Sequence, residues 1–375
     1  MKIPFNKPYL TGGEMEYILD AVRGGKISGN GIYTEKCHDF FCSKYGFPKT
    51  LLTTSCTDAL EMCSLLLNIS HGDEVIVPAF TFVSSANAFV LRGANIKFAD
   101  SYPDNPNINP AEIERLISDN TRAIVVVHYA GVACDMDAIL EISKKYNIPV
   151  IEDAAQAINS FYKGTPLGSL GALSTFSFHE TKNIISGEGG MLVVNDSTLS
   201  SRAEIIWEKG TNRTAMKRGD VDKYGWVDVG SSFLPSEIIA AFLLAQLENL
   251  EDIQARRIEI WNQYNSAFKD LKQSGNVRLP EVPDYATNNG HLFYLVCENE
   301  NVRNRLIVHL KNKGILAVFH YLSLNQSPYY LNHFEKEELK NSESFERNLI
   351  RLPLFYELSQ KDQNLIIDET HAFFD

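Results

Sequence analysis

The 375-residue chain lacks the marks of several common protein classes. Its six cysteines, Cys37, Cys42, Cys56, Cys63, Cys134 and Cys297, form no C-x-x-C pair and have no metal-ligand spacing with histidine. They sit in apolar stretches, so they read as buried reduced thiols, with neither a disulfide framework nor a metal site expected. No apolar run is long enough to span a bilayer, and the opening residues MKIPFNKPYLTGGEMEY lack the apolar core of a secretory signal. A cytoplasmic protein without a membrane partner is expected. Basic residues are in deficit: a formal net charge of −12 argues against a nucleic-acid binder, which needs Lys and Arg to neutralise phosphates. Neither G-x-x-x-x-G-K-S/T nor G-x-G-x-x-G occurs, which removes support for P-loop and dinucleotide folds.

What is present is ordinary globular composition, 44% hydrophobic and 22% charged, over a length that suits a large and a smaller domain. Residues 14–23 (EMEYILDAVR) carry Met15, Ile18, Leu19 and Val22 at helical spacing, and Gly24 and Gly25 stop the run. A second helix is predicted over TEKCHDFFCSKYG, ended by Gly46. From residue 51 short apolar runs alternate with helical segments: LLTTS, EVIVPAF, NIKFAD, AIVVVHY, IPVIEDAA, ALSTFSF and GGMLVVND. Strands so apolar are covered on both faces, which predicts an α/β layout around a mostly parallel sheet. A long helical pattern over 235–265 leads to a smaller C-terminal unit with strands in HLFYLV and ILAVFHY around the helix NRLIVHLKNKG. The expected division is 1–250 and 251–375.

In open sheets of this kind ligands gather at the carboxyl ends of strands, where the polar tails TTS, PAFTF, VHYAG, EDAAQ and FHETK fall. In TTSCTDALEM, Asp58 and Glu61 form a capping box, or else Thr57 and the first N–H groups of a helix hold a phosphate. Glu152 and Asp153 end an apolar strand, and a buried acid needs donors or a cation: a backbone tie or the protonated ring nitrogen of a cofactor. Lys182 follows the strand ALSTFSF and precedes Gly187, Gly189 and Gly190. A lysine on a loop is usually solvated, but burial would give the neutral amine that carbonyl chemistry needs. An anion site, a strand-end acid and a strand-end lysine on one sheet match the requirements of pyridoxal phosphate. Phe82 then stacks on the ring or belongs to the core. His128 and His320 end apolar strands and are candidates to face the site; His179 lies near it without a role.

The segments TTSCTDAL, VIVPAFTFVSSANA, VVVHYAGVACDMDAI, VIEDAAQA, FSFHETKNIISGEGG, DVGSSFLPSEIIAA and LPLFYELS together resemble the DegT/StrS family of pyridoxal-phosphate sugar-nucleotide aminotransferases, over essentially the whole chain. The resemblance implies the fold type I (aspartate aminotransferase) architecture: a large pyridoxal-phosphate-binding domain with a mixed, mostly parallel sheet, plus a smaller C-terminal α+β domain. It also implies a homodimer with its sites at the subunit interface. By the same resemblance Lys182 forms the Schiff base, Asp153 keeps the pyridine nitrogen protonated, Gln156 contacts the phenolic oxygen, Phe82 stacks on the ring, and Thr57, Asp58 and Ser177 cradle the phosphate. Ser232 stands where many members have an asparagine that reaches the partner's cofactor phosphate. His320 and Tyr321, in AVFHY, are candidates for the substrate. ANAFVLRGA, HYAGVACDMD, EKGTNR and AVFHY are most similar to the branch that aminates dTDP-4-dehydro-6-deoxy-D-glucose with L-glutamate, giving the galacto 4-amino sugar. Asn325 departs from that branch, which usually has a histidine there.

Overall fold

The computed structural model describes residues 2–335 and 337–375. Two helices come first, α1 (Glu14–Arg23) and α2 (Ile32–Tyr45), ending at the predicted glycines; Gly46 has φ 71°, which favours glycine. An amphipathic helix normally turns its apolar stripe inward. α1 does not: Met15, Leu19 and Val22 are about half exposed, while Glu14 is buried, accepting the N–H groups of Thr11 and Gly12 and the amide of Gln246.

The strands, in chain order, are β1 (Thr50–Thr53), β2 (Glu74–Pro78), β3 (Asn95–Ala99), β4 (Thr121–Val127), β5 (Val150–Asp153), β6 (Phe161–Tyr162), β7 (Thr165–Pro166), β8 (Leu173–Ser177), β9 (Gly190–Val194), β10 (Val277–Arg278), β11 (Phe293–Cys297), β12 (Val318–Phe319) and β13 (Leu349–Leu352). The main sheet has the order β1-β9-β8-β5-β4-β2-β3, and β9 alone runs antiparallel to its neighbours. The carboxyl ends of the other strands therefore share one edge. Every apolar run expected to be a strand between residues 51 and 196 pairs in this sheet.

Alternate residues enter separate cores, as the period of two requires. Ile124, Val126 and Val150 face one core; Ala123, Val125 and Ile151 face the other, with Leu60 of α3 (Cys56–Leu66) and Phe89 of α4 (Ser84–Val90). The helical stretch at 235–265 is two helices, Glu237–Glu248 and Leu250–Ala267, broken at Asn249.

A second sheet, β10-β11-β13-β12, is antiparallel throughout. One face, with Phe293, Leu295, Ile350 and Leu352, packs on Leu306, Leu310 and Ile366 of flanking helices. The other, with Tyr294, Val296 and Leu349, meets Phe80 and Tyr129, which follow β2 and β4. That cluster holds the second sheet over the carboxyl edge of the first. Ile3 bridges to Ile315 and is buried in the second sheet's core. Among the described residues no helix is long and apolar enough to cross a membrane.

Candidate active site

Between the two sheets lies a cavity of about 840 Å³. Its floor is the carboxyl edge of the main sheet, and alternation along β5 decides which acid reaches it. Asp153 points with Ile151 toward α3 and α4; Glu152 points the other way with Val150. Asp153 Oδ2 accepts the Ser85 hydroxyl at 2.7 Å, and Oδ1 accepts the Ala155 N–H at 3.1 Å. Burial raises its carboxyl above the ordinary 3.8, with those two hydrogen bonds and Lys182 opposing. Glu152 lies outside the cavity, accepting from His128 Nε2 at 3.0 Å and from the N–H groups of Gly168, Leu170 and Gly171 at 2.9, 2.7 and 2.7 Å. Cys134 N–H donates to His128 Nδ1 at 3.2 Å, so the ring proton sits on Nε2, toward Glu152. His128 was a candidate to face the site; it is instead fully buried against Glu152 and does not line the cavity.

Lys182 stands on the loop after β8, closed by Phe178 N–H to Gly189 O (2.8 Å), Ser186 N–H to Phe178 O (2.7 Å) and Lys182 N–H to His179 O (2.9 Å). Its ammonium lines the cavity with no hydrogen-bond or ion-pair partner among the described residues. Burial lowers its pKa below 10.5; Cys56 and Asp153 work to raise it, and Arg351 to lower it. Of the three glycines expected to turn the chain, Gly187 has φ 82°, whereas Gly190 serves close approach: a Cβ there would lie 2.4 Å from Cys56 N. The lysine loop is thereby pressed against the start of α3.

That helix begins three residues earlier than the expected Asp58/Glu61 box. Ser55 is the cap, its Oγ accepting the Asp58 N–H at 3.0 Å, so Asp58 falls inside the first turn. The Asp58 carboxylate accepts the Thr54 hydroxyl and does not line the cavity; it holds the loop before the helix. Thr57 does line it, with Oγ1 2.8 Å from Ser84 Oγ, and Ser177 lies at the same wall. The N–H groups of Cys56 and Thr57 have no acceptor among the described residues. Cys56 and Cys42 depart from the expected burial, both being only partly buried; Cys56 lines the cavity, although burial still pushes its thiol well above 9.0.

Gln156 bridges the two halves: Oε1 accepts the Ala130 N–H at 2.6 Å, and Nε2 donates to the Tyr321 hydroxyl at 2.7 Å. Tyr321 stacks on His320 with ring centroids 3.7 Å apart, and Phe82, 55% exposed, lies 6.2 Å from Tyr321. His320 Nδ1 is 2.6 Å from the Tyr129 hydroxyl, and burial drives its imidazole well below 6.5. Ser232 is exposed, bridged to Glu208 and outside the cavity. Asn325 is fully buried among Ser323, Glu337 O and Glu343, supporting its own loop. Sequence reasoning missed Phe5, Asn6, Ser84, His291 and Arg351, all lining the cavity, and Ser85, which orients Asp153. Two signals were available: Ser85 stands four residues after Thr81 in FTFVSSANA, and Arg351 interrupts the apolar run LIRLPLF.

Pyridoxal 5′-phosphate presents an anion, a basic ring nitrogen and an aldehyde, and the residues fit each. Free N–H groups at the start of an α-helix, beside the hydroxyls of Thr57, Ser84 and Ser177, suit a phosphate. A buried acid with raised pKa suits a protonated ring nitrogen, and an amine without a partner suits an aldehyde. On a sheet of this topology, such a cavity defines a pyridoxal-phosphate-dependent aminotransferase of fold type I.

Comparison with known proteins narrows the class. Residues 8–371 match the DegT/DnrJ/EryC1/StrS aminotransferase family, and the chain belongs to it as a sugar aminotransferase. It is 34% identical to the GDP-perosamine synthase of Escherichia coli O157:H7, over 99% of this chain and 98% of the relative. It is 30% identical to the spore coat polysaccharide biosynthesis protein SpsC of Bacillus subtilis, over 98% and 95%. Among solved structures, Spr1654 of Streptococcus pneumoniae in its PMP form superposes with a TM-score of 0.91 at 27% identity, covering 99% of this chain and 98% of the other. Helicobacter pylori PseC, an aminotransferase involved in the biosynthesis of pseudoaminic acid, gives 0.89 at 26% over 100% and 99%.

Proposed function

We propose that the protein transfers the amino group of L-glutamate to C4 of dTDP-4-dehydro-6-deoxy-D-glucose, giving dTDP-4-amino-4,6-dideoxy-D-galactose and 2-oxoglutarate. The observation that carries the chemistry is the partnerless Lys182 amine in one cavity with Asp153. The choice of sugar rests on the likeness of ANAFVLRGA, HYAGVACDMD, EKGTNR and AVFHY to that branch of the family.

When bound, pyridoxal phosphate supplies an aldehyde that carries nitrogen between substrates and a ring that stabilises negative charge at the reacting carbon. Thr57, Ser84 and Ser177 would hold its phosphate, Asp153 its ring nitrogen and Gln156 its phenolic oxygen, and Phe82 would stack on the ring. Lys182 Nζ, whose pKa burial lowers below 10.5, removes the proton from Cα of glutamate and later delivers one to C4 of the sugar. Because Lys182 reaches C4 from one side only, it fixes the configuration of the new amine. His320 and Tyr321, stacked at the cavity wall, face the sugar.

The assembly in this reading is a homodimer. Large apolar side chains are exposed on α1, at Phe82, Val83 and Leu91 flanking α4, and at Trp226, Val227 and Val229, a combination that suits a subunit interface. In this reading Ser232, exposed near that last group, is the residue that would reach the partner's cofactor phosphate. Sedimentation at micromolar concentration should show a dimer. The decisive assay incubates the loaded enzyme with glutamate and a panel of dTDP-, UDP- and GDP-linked keto sugars, and determines the product by NMR. Amination at C3, or an equatorial amine at C4, would reject the assignment.

A further inference from the structure

Two buried carboxamides join the lysine loop to the second sheet. Asn183, the residue after Lys182, donates from Nδ2 to Gln254 Oε1 at 2.8 Å and to Asn289 O at 2.9 Å. Asn289 in turn donates to Gln156 O and Ile158 O at 2.8 and 2.9 Å, and its Oδ1 accepts the His291 N–H at 3.0 Å. Space around this amide is tight: a Cβ on Gly131 would lie 2.0 Å from Asn289 Oδ1. His291, just before β11, is thereby fixed in the wall of the cavity.

The same bonds decide where the ring proton of His291 sits. Asn289 O is a backbone carbonyl and can only accept, so the Asn183 atom facing it is Nδ2. Asn183 Oδ1 is left for His291 Nδ1, 2.9 Å away, and an amide oxygen can only accept. The proton is therefore on Nδ1, and Nε2 carries a lone pair with no partner among the described residues. Burial first, then Lys182, Arg257 and Arg351, holds the imidazole well below 6.5, so it is neutral near pH 7. Arg257 and Arg351, in the same wall, can only donate, whereas His291 Nε2 can only accept.

Lys182 enters the same cavity from the neighbouring residue, its amine also without a partner among the described residues. Once it has taken a proton from a substrate carbon it is an ammonium in a site where charge is costly. An acceptor of ordinary basicity would compete for that proton. One whose basicity is suppressed binds the ammonium and leaves the proton available for delivery. We propose that His291 is a positioning residue for Lys182: its Nε2 accepts a hydrogen bond from the protonated lysine between removal of one proton and delivery of the next, and Asn183 holds the ring in the tautomer this requires. The proposal rests on Lys182 as the proton carrier.

Two amide variants divide the ring into its halves. His291→Asn keeps a donor for Asn183 Oδ1 and loses the acceptor in the cavity; His291→Gln keeps an acceptor farther out and loses the tie to Asn183. With cofactor-loaded enzyme, the half-reaction with L-glutamate alone is followed by absorbance. His291→Asn should lower its rate at saturating glutamate by about 10- to 100-fold, the loss of one hydrogen bond to a charged group, with half-saturation within about two-fold of wild type and the unfolding midpoint unchanged. His291→Gln should recover part of that rate. Losing an acceptor also withdraws support from the ammonium, so the pH at which pyridoxal phosphate capture by the His291→Asn apoprotein levels off should move down. Cys56, Asp153, Arg351 and His320, the other groups that face Lys182, are unaltered in this variant. A merely structural histidine would shift the unfolding midpoint and leave that pH in place. A wild-type rate in His291→Asn overturns the proposal. So does a raised half-saturation with the saturated rate unmoved, which assigns the acceptor to the ammonium of the amino acid. Should His291→Asn fail to fold, nitrogen NMR of histidine-labelled wild type decides: the neutral Nδ1–H form is expected for His291, and a proton on Nε2 at neutral pH overturns the proposal. A Lys182→Ala enzyme that still completes the half-reaction would refute the underlying reading and the proposal with it, an outcome distinct from the others.

Discussion

Glu152 accepts from one imidazole and three backbone N–H groups, while Asp153, the next residue on β5, has one hydroxyl and one N–H. Both are buried. In Glu152 burial works to raise the pKa, but His128 and the N–H groups overcome it and hold the carboxyl below 4.5. In Asp153 burial prevails. The contrast teaches that burial alone does not mark a functional acid; the number of donors already committed does. Glu152 is saturated and holds the loop at residues 168–171, whereas Asp153 has acceptor capacity left for a ligand.

The largest effect should come from removing the amine that Asp153 faces. Lys182→Ala should lower turnover by at least ~10³-fold and abolish the visible absorbance of the loaded enzyme, with an unchanged circular dichroism spectrum. Next, Asp153→Asn keeps the shape and removes the charge. Turnover should fall by about 10²- to 10³-fold while the unfolding midpoint of the ligand-free protein holds or rises. Glu152→Gln should do the reverse: about 2–4 kcal/mol of stability lost in urea unfolding, because the N–H cluster and His128 lose their anion, with a much smaller change in kcat of the folded fraction. If the two variants behaved alike, the contrast would collapse.

Smaller effects appear with pH. The depressed Glu152 carboxyl contributes stability that is present above its unfolded value near 4.5 and lost as pH falls through its lower folded value. The raised Asp153 carboxyl has the opposite sign: its contribution is full below 3.8 and lost as pH rises through its folded value. Urea titrations across pH 3–7 should therefore show a flatter acid limb for Glu152→Gln and a steeper net rise with pH for Asp153→Asn. The subtlest test concerns Lys182. The rate at which apoprotein captures pyridoxal phosphate should climb with pH and level off below 10.5, and Arg351→Gln, which removes a neighbouring positive charge, should move that plateau upward.

Much of this was legible in the sequence because the chemistry sits where elements end. Asp153 and Ser177 close apolar strands, Thr57 opens a helix and Lys182 follows a strand directly, so their positions at the carboxyl edge follow from the pattern. What the pattern does not show is which of two neighbours turns inward. His128 and Glu152 meet because β4 and β5 are adjacent and in register, a tertiary fact. α1 misleads for a related reason: its stripe seeks an apolar surface, and within this chain the buried Glu14 takes the inner side. Arg351 shows in the sequence only as a break in an apolar run, because its strand belongs to the other sheet and meets Lys182 only after both sheets dock.

The docking of Ile3 beside Ile315 has a consequence for how the enzyme is made. During synthesis the main sheet and its reactive lysine emerge well before Ile315, the residue that receives the amino-terminal segment. A nascent chain thus carries a binding floor without a roof. Cofactor offered at that stage would meet a site with its lysine in place and the wall built by the second sheet still missing, so catalytic competence arrives with the final strands.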